Sequence, residues 1–167
     1  MLIRPERGAD ARAIRQVVEA AFRDHPKSDG REGAIVDALR DDAALMLSWV
    51  VEEEGRIVAH VAFSPATIDG CGDGWLLLGP LAVEPRRQRR GLGTALVRAA
   101  LDHLRATGAA GCALVGDPAY YASFGFGRFD GLTVAGVPDA YVLALPFGDE
   151  RPHGEVRHHD AFATAGR

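Results

Sequence analysis

Residues 84–94 read EPRRQRRGLGT, placing four guanidinium groups within the five positions Arg86 to Arg90, directly ahead of two glycines. That pattern is suited to holding an anion. If a helix starts at Gly91, its first N–H groups have no intrahelical partner and its dipole is positive at that end. Gly91 and Gly93 then leave no Cβ between backbone and phosphate. Flanking arginines add charge and forked donors for phosphate oxygens. A phosphorylated ligand is the inference. No Gly-x-x-x-x-Gly-Lys-Ser/Thr occurs, which argues against a P-loop nucleotidase. A dinucleotide fingerprint fails as well: Leu96 stands where that motif wants glycine or alanine, and the run does not follow a first strand. The alternative is a solvated basic loop with glycines serving only as caps.

The elements that must position this loop are legible from periodicity. Leu2-Ile3-Arg4 reads as a short strand. Ile14, Val17, Val18, Ala21 and Phe22 then mark an amphipathic helix with Asp10 at its N-cap, and Ile35, Val36 and Leu39 a second, shorter one. Residues 45–52 and 56–63 are β-branched, apolar runs joined at Glu54-Gly55, the pattern of a hairpin. The run 75–83, WLLLGPLAV, is apolar enough for a central strand. Proline donates nothing to a ladder, so Gly79-Pro80 predicts a bulge or a split there. A strong helix follows from Gly91, stopped by Gly108, then a buried strand over 112–116. Asp117-Pro118 opens a short helix that reaches Phe124 and ends at Gly125; weak strands follow near 132–134 and 141–147. The order β-α-α-β-β-β-α-β-α-β-β predicts a mixed α/β sheet over residues 1–148, with 149–167 a polar tail that is either partly docked, through Val156 and Phe162, or disordered.

Composition narrows the class. With 167 residues, a net charge of -4 and 47% hydrophobic residues, the chain fits one globular domain with a core of its own. Two cysteines, Cys71 and Cys112, are too few for a disulfide scaffold or a cysteine-rich zinc site. No apolar run nears the roughly 20 residues of a membrane span, and MLIRPERGAD has no signal-like apolar core, so a cytoplasmic setting is expected. His158-His159-Asp160 suggests no metal, because adjacent side chains diverge and no matching cluster exists elsewhere. An acidic chain without a stripe of interleaved aromatics also argues against nucleic acid as the partner of the arginine loop, and no membrane partner is expected.

Three sequence features together resemble the GNAT superfamily of acetyl-CoA-dependent N-acetyltransferases. Gln88-Arg-Arg-Gly91-Leu-Gly93 is similar to that family's Gln/Arg-x-x-Gly-x-Gly/Ala signature. It follows an apolar strand ending Leu81-Ala82-Val83-Glu84-Pro85, and Tyr121-Ala-Ser-Phe-Gly125-Phe126 resembles the family's Tyr-x-x-x-Gly-Phe element. Gly79-Pro-Leu-Ala-Val with Gly116-Asp-Pro-x-Tyr-Tyr is similar to a bacterial branch described as predicted N-acetyltransferases. The resemblance spans residues 2 to 147. It implies a mostly antiparallel central sheet flanked by helices, in which a bulged strand splays from its parallel neighbour.

The resemblance also implies site residues. The backbone of Leu81, Ala82 and Val83 would bind the pantetheine amides of acetyl-CoA as an added strand would. Gln88, Arg89, Arg90, Gly91, Leu92, Gly93 and Thr94 would hold the pyrophosphate through backbone N–H groups, with Arg86, Arg87, Arg89 and Arg90 as candidate phosphate ligands. Tyr121 would protonate the departing thiolate, against the alternative of a packing role beside Phe124 and Phe126. The family's glutamate base has no counterpart, since 75–83 contains no acid. His60 is the candidate base, directly or through water, against the alternatives of a structural strand histidine and of bound water alone. Asp117 is read as a helix cap. No metal is expected. The partner would be a small-molecule or peptide amine, and a homodimer is compatible with the resemblance. A CoA-binding sensor of the same fold is the alternative to an enzyme.

Overall fold

The computed structural model describes residues 1–165, with side chains as far as Ala163. Its backbone divides into two units: Met1–Ser64 with Gly79–Leu101 and the segment from His159 onward, and Pro65–Leu78 with Asp102–His158.

In the first unit β1 (Leu2–Pro5) pairs antiparallel with β2 (Leu47–Glu53), which pairs antiparallel with β3 (Arg56–Ile68). The β2–β3 turn has positive φ at both Glu54 (51°) and Gly55 (77°), matching the twist of the flanking strands. β4 (Trp75–Val83) lies beside β3 in the strand order. The helix α1 (Ala11–Phe22) buries Ile14, Val17 and Val18, one stripe of its surface, against Val50, Ile57 and Ala82 of the sheet and Val36 of α2 (Glu32–Asp41). Asp10 occupies the N-cap position of α1, but its carboxylate makes no cap bond to that helix and instead closes the capping box of the 3-10 turn Gly8–Asp10. It accepts from the Arg4 guanidinium at 2.7 and 3.2 Å and from the Arg7 backbone at 2.6 Å. The Arg4 hydrogen bond holds the Asp10 carboxyl below its ordinary value.

Residues 75–83 form one strand through the cis Gly79-Pro80 bond rather than two, but its parallel pairing with Gly111–Val115 covers only Trp75 to Leu77, so of the expected bulge or split it is the interrupted ladder that is found. The glycine takes φ 144°, which carries the chain through the proline without ending the strand. The helix α3 (Leu92–Ala106) follows.

In the second unit the start of β4 runs parallel to β5 (Gly111–Val115), and β5 pairs antiparallel with β7 (Val142–Pro146). Between them lie α4 (Pro118–Tyr121), a single 3-10 turn over Ala122–Phe124, and the two-residue β6 (Leu132–Thr133). The mixed, mostly antiparallel sheet expected from the sequence is present.

Residues 149–165 carry more order than a polar tail. β8 (Gly154–His158) pairs antiparallel with Ala66–Ile68 and parallel with β6. After it, α5 (Asp160–Ala165) returns to the first unit, where Ala161 packs with Ile35, Leu39 and Ala44 and Phe162 lies against that cluster. His159 Nε2 stands 3.0 Å from Asp42 Oδ2. Among the described residues no helix is long and apolar enough to cross a membrane.

Candidate functional site

Residues 84–94 connect β4 to α3 as the sequence predicts, and the loop is fastened at its start. The Glu84 N–H donates to Val58 O at 2.8 Å and the Gln88 side-chain amide donates to Val83 O at 3.1 Å. The four arginines divide. Arg87 is held internally by Glu84 at 2.7 Å and Glu53 at 3.3 Å. Arg86, Arg89 and Arg90 are exposed. Arg89 and Gly91 both take left-handed backbone, φ 64° and 83°. Such turns aim neighbouring N–H groups toward a common side, the concavity that binds anions. A glycine at 91 is what that conformation favours; Arg89 adopts it with a Cβ. Gly91 then accepts the first helical bond, from Ala95 at 3.0 Å. Helix geometry leaves the N–H groups of Leu92, Gly93 and Thr94 without acceptors inside α3. Leu92, Leu96 and Val97 are buried and fix the helix in place.

Tyr121 ends α4 in the second unit. The Asp117 carboxylate caps that helix by accepting from Ala119 N at 3.0 Å, the cap role read from the sequence. Tyr121 sits among aromatic rings, with centroids 4.9 Å from Tyr120, 6.1 Å from Phe124 and 5.8 Å from Phe126. Gly116 makes room for it: a Cβ there would lie 2.7 Å from Tyr121 Cε2. Burial first, then Tyr120 and Asp117, raises the phenol above its ordinary value of 10.0, so it stays protonated and able to donate.

His60 lies on β3 in the first unit and is wholly buried. Its Nε2 is 2.8 Å from Ser48 Oγ. Ser48 in turn hydrogen-bonds Glu6, which Arg40 grips through Nε and Nη2 at 3.0 Å each. Burial pushes the imidazole down to about 4, with Glu6 opposing and Arg40 assisting, so it is neutral at physiological pH. Glu6, raised by burial but lowered further by Arg40 and Ser48, stays below its ordinary value. Sequence reasoning missed Glu6, Arg40 and Ser48. The only available signal was the strand register that brings the β2 run beside His60.

The second unit also carries a surface cavity of about 350 Å³ lined by Arg128, Phe129, Asp130, Arg151, Pro152 and His153, none of them singled out from the sequence. Arg151 stands over the Phe129 ring at 5.8 Å.

Residues 12–126 match the Acetyltransferase (GNAT) family. The chain belongs to that family. Within it, this GNAT chain is 39% identical over 127 residues to the uncharacterized N-acetyltransferase YhbS of Escherichia coli K12, covering 75% of this chain and 73% of that protein. A GNAT family acetyltransferase from Brucella melitensis, crystallised in complex with acetyl-CoA, superposes with a TM-score of 0.86 at 48% identity. That match covers 96% of this chain and 97% of the other. The structure of Escherichia coli YhbS in complex with CoA gives a TM-score of 0.88 at 31% identity, covering 97% and 91%. The family match begins after β1 and ends at Phe126, so it contains the arginine loop, His60 and Tyr121 but not the surface cavity.

Proposed function

We propose that this GNAT chain is a cytoplasmic N-acetyltransferase that moves the acetyl group of acetyl-CoA to the primary amine of a small molecule or peptide by direct attack on the thioester. The observation that carries the reading is the β4–α3 junction. It offers left-handed turns at Arg89 and Gly91, open N–H groups at the start of α3, and the exposed side chains of Arg86, Arg89 and Arg90. The anion such a junction suits is the pyrophosphate of CoA, and two similar structures hold CoA or acetyl-CoA. In this reading the backbone of Leu81, Ala82 and Val83 runs along the pantetheine. Residues Gln88 through Thr94 hold the pyrophosphate, with Arg89 and Arg90 beside it.

In the reaction the amine lone pair forms the N–C bond while the carbonyl π pair moves to oxygen. When that pair returns, the C–S bond breaks and its electrons stay on sulfur. Tyr121 donates the proton that sulfur takes up, and the proton lost by nitrogen leaves through His60 or a bound water. The products are an amide and free CoA thiol. A phenol kept protonated by burial suits the donor role.

Titration with acetyl-CoA, followed by a thiol-release assay over a panel of amines, tests this. Binding, thermal stabilisation and amine-dependent thiol release are expected. No stabilisation at millimolar acetyl-CoA overturns the reading. Binding without release to any amine replaces it with a CoA sensor, the alternative raised by the missing acid in 75–83.

A further inference from the structure

Four polar side chains run in series through the first unit, and their polarity is set from one end. The Arg40 guanidinium only donates, and Glu6 beside it is a carboxylate that only accepts. The single Ser48 hydroxyl proton is therefore directed at Glu6. His60 Nε2, 2.8 Å from the same oxygen, must bring its own proton. The neutral imidazole is thus the Nε2–H tautomer, and Nδ1 is a bare acceptor. That nitrogen is buried and has no hydrogen-bond partner. Cores rarely leave a polar atom in this condition without a use for it.

A second buried atom without a partner, Ser64 Oγ, lies on the same strand. The β2–β3 register is regular from Ala59 to Phe63, so positions 60, 62 and 64 share one face, with only Ala62 between the histidine and the serine. That face is also tied to the candidate cosubstrate strand. Val50, the cross-strand partner of His60, packs in one cluster with Ala82 of β4.

We propose that His60 Nδ1 accepts a hydrogen bond from the N–H of the acceptor amine, and that Arg40, Glu6 and Ser48 are positioning residues that hold the ring in the tautomer this requires. The proposal rests on the acetyltransferase reading above. A bare Nδ1 takes a donor and offers nothing to a carboxylate or an ether oxygen, so it selects an acceptor that presents an N–H. An N–H engaged by Nδ1 also orients the nitrogen so that its lone pair is directed away from the ring, ready for a carbonyl carbon. Ser64 Oγ supplies a second polar contact for the part of the acceptor beyond the amine.

Nuclear magnetic resonance of the ring-¹⁵N-histidine protein, assigned with His60→Asn, reads the tautomer directly, and hydroxylamine serves as a small amine that is neutral at pH 7.5. The expected result is a protonated Nε2 and an unprotonated Nδ1 in the wild type. Both tautomers should be populated in Ser48→Ala, and Nδ1 should move more than Nε2 when hydroxylamine is added to the CoA complex. In hydroxylaminolysis of acetyl-CoA, His60→Asn, whose amide stands near the Nδ1 position, keeps activity within about tenfold. His60→Gln, which reaches toward the Nε2 position, loses about a hundredfold with acetyl-CoA affinity unchanged. A protonated Nδ1, an Nδ1 indifferent to hydroxylamine, or equal losses in the two variants overturns the proposal. Failure of the wild type to bind acetyl-CoA overturns the acetyltransferase reading instead.

Discussion

His60 is buried and Tyr121 half-buried, and desolvation acts on the two groups in opposite directions because it always disfavours the charged form. The phenol is raised and the imidazole is lowered to about 4. For Tyr121 this keeps the proton in place through the neutral and mildly alkaline range. Tyr121→Phe, which removes only the hydroxyl, is expected to lower kcat about a hundredfold while leaving acetyl-CoA affinity within about twofold, as single-turnover and titration measurements would read. For His60 the consequence concerns stability. Its folded value lies below the unfolded 6.5, so the unfolded chain binds a proton that the folded chain refuses. The resulting contribution, roughly 3 kcal/mol, is complete above about pH 6.5 and is lost as pH falls toward 4. Calorimetric Tm should therefore drop by about 6–12 °C across that window, and His60→Asn should flatten the drop. Glu6 and Asp10, both held low, add their own loss at more acidic pH.

At the scale of elements, the β4–α3 junction separates arginines that fold the loop from arginines free to meet a ligand. Arg87 bridges Glu84 and Glu53, whereas Arg89 and Arg90 are exposed. The double variant Arg89→Ala/Arg90→Ala is expected to raise the acetyl-CoA Kd about tenfold and to weaken its salt dependence. Arg87→Ala should leave Kd within about twofold and lower Tm by a few degrees. The same junction shows why some of the site was legible in the sequence. A helix start, two glycines and an arginine cluster are local signals, and the short helix capped by Asp117 is another. The Arg40–Glu6–Ser48–His60 series is not local. Its hydrogen-bonded partners stand 34, 42 and 12 positions apart, and only the fold brings them together. The β4 proline, by contrast, was a local signal: the parallel pairing of β4 with β5 covers Trp75 to Leu77 and stops before Gly79. A missing N–H argues against ladder continuity, but Gly79 at φ 144° carries the strand on.

For the whole molecule, the question is what the last residues do for a family fold whose match ends at Phe126. Short polar segments give little periodicity, which is why β8 and α5 were expected as a tail. In the fold, Ala161 closes the Ile35–Leu39–Ala44 cluster of the first unit, with Phe162 packed against it and His159 beside Asp42. A chain ending at His158 would leave Ile35 and Leu39, now 7% and 0% exposed, partly open to water. Re-exposing on the order of 60–100 Å² of apolar surface there costs about 1.5–2.5 kcal/mol, or a Tm lower by roughly 3–10 °C for a chain of this size. The truncated protein should still bind acetyl-CoA with a Kd within about threefold, because the junction and the strand that follows Pro80 lie outside that cluster. A truncation that loses acetyl-CoA binding while remaining folded by circular dichroism would show that α5 acts on the site rather than on the stability of the helix it covers.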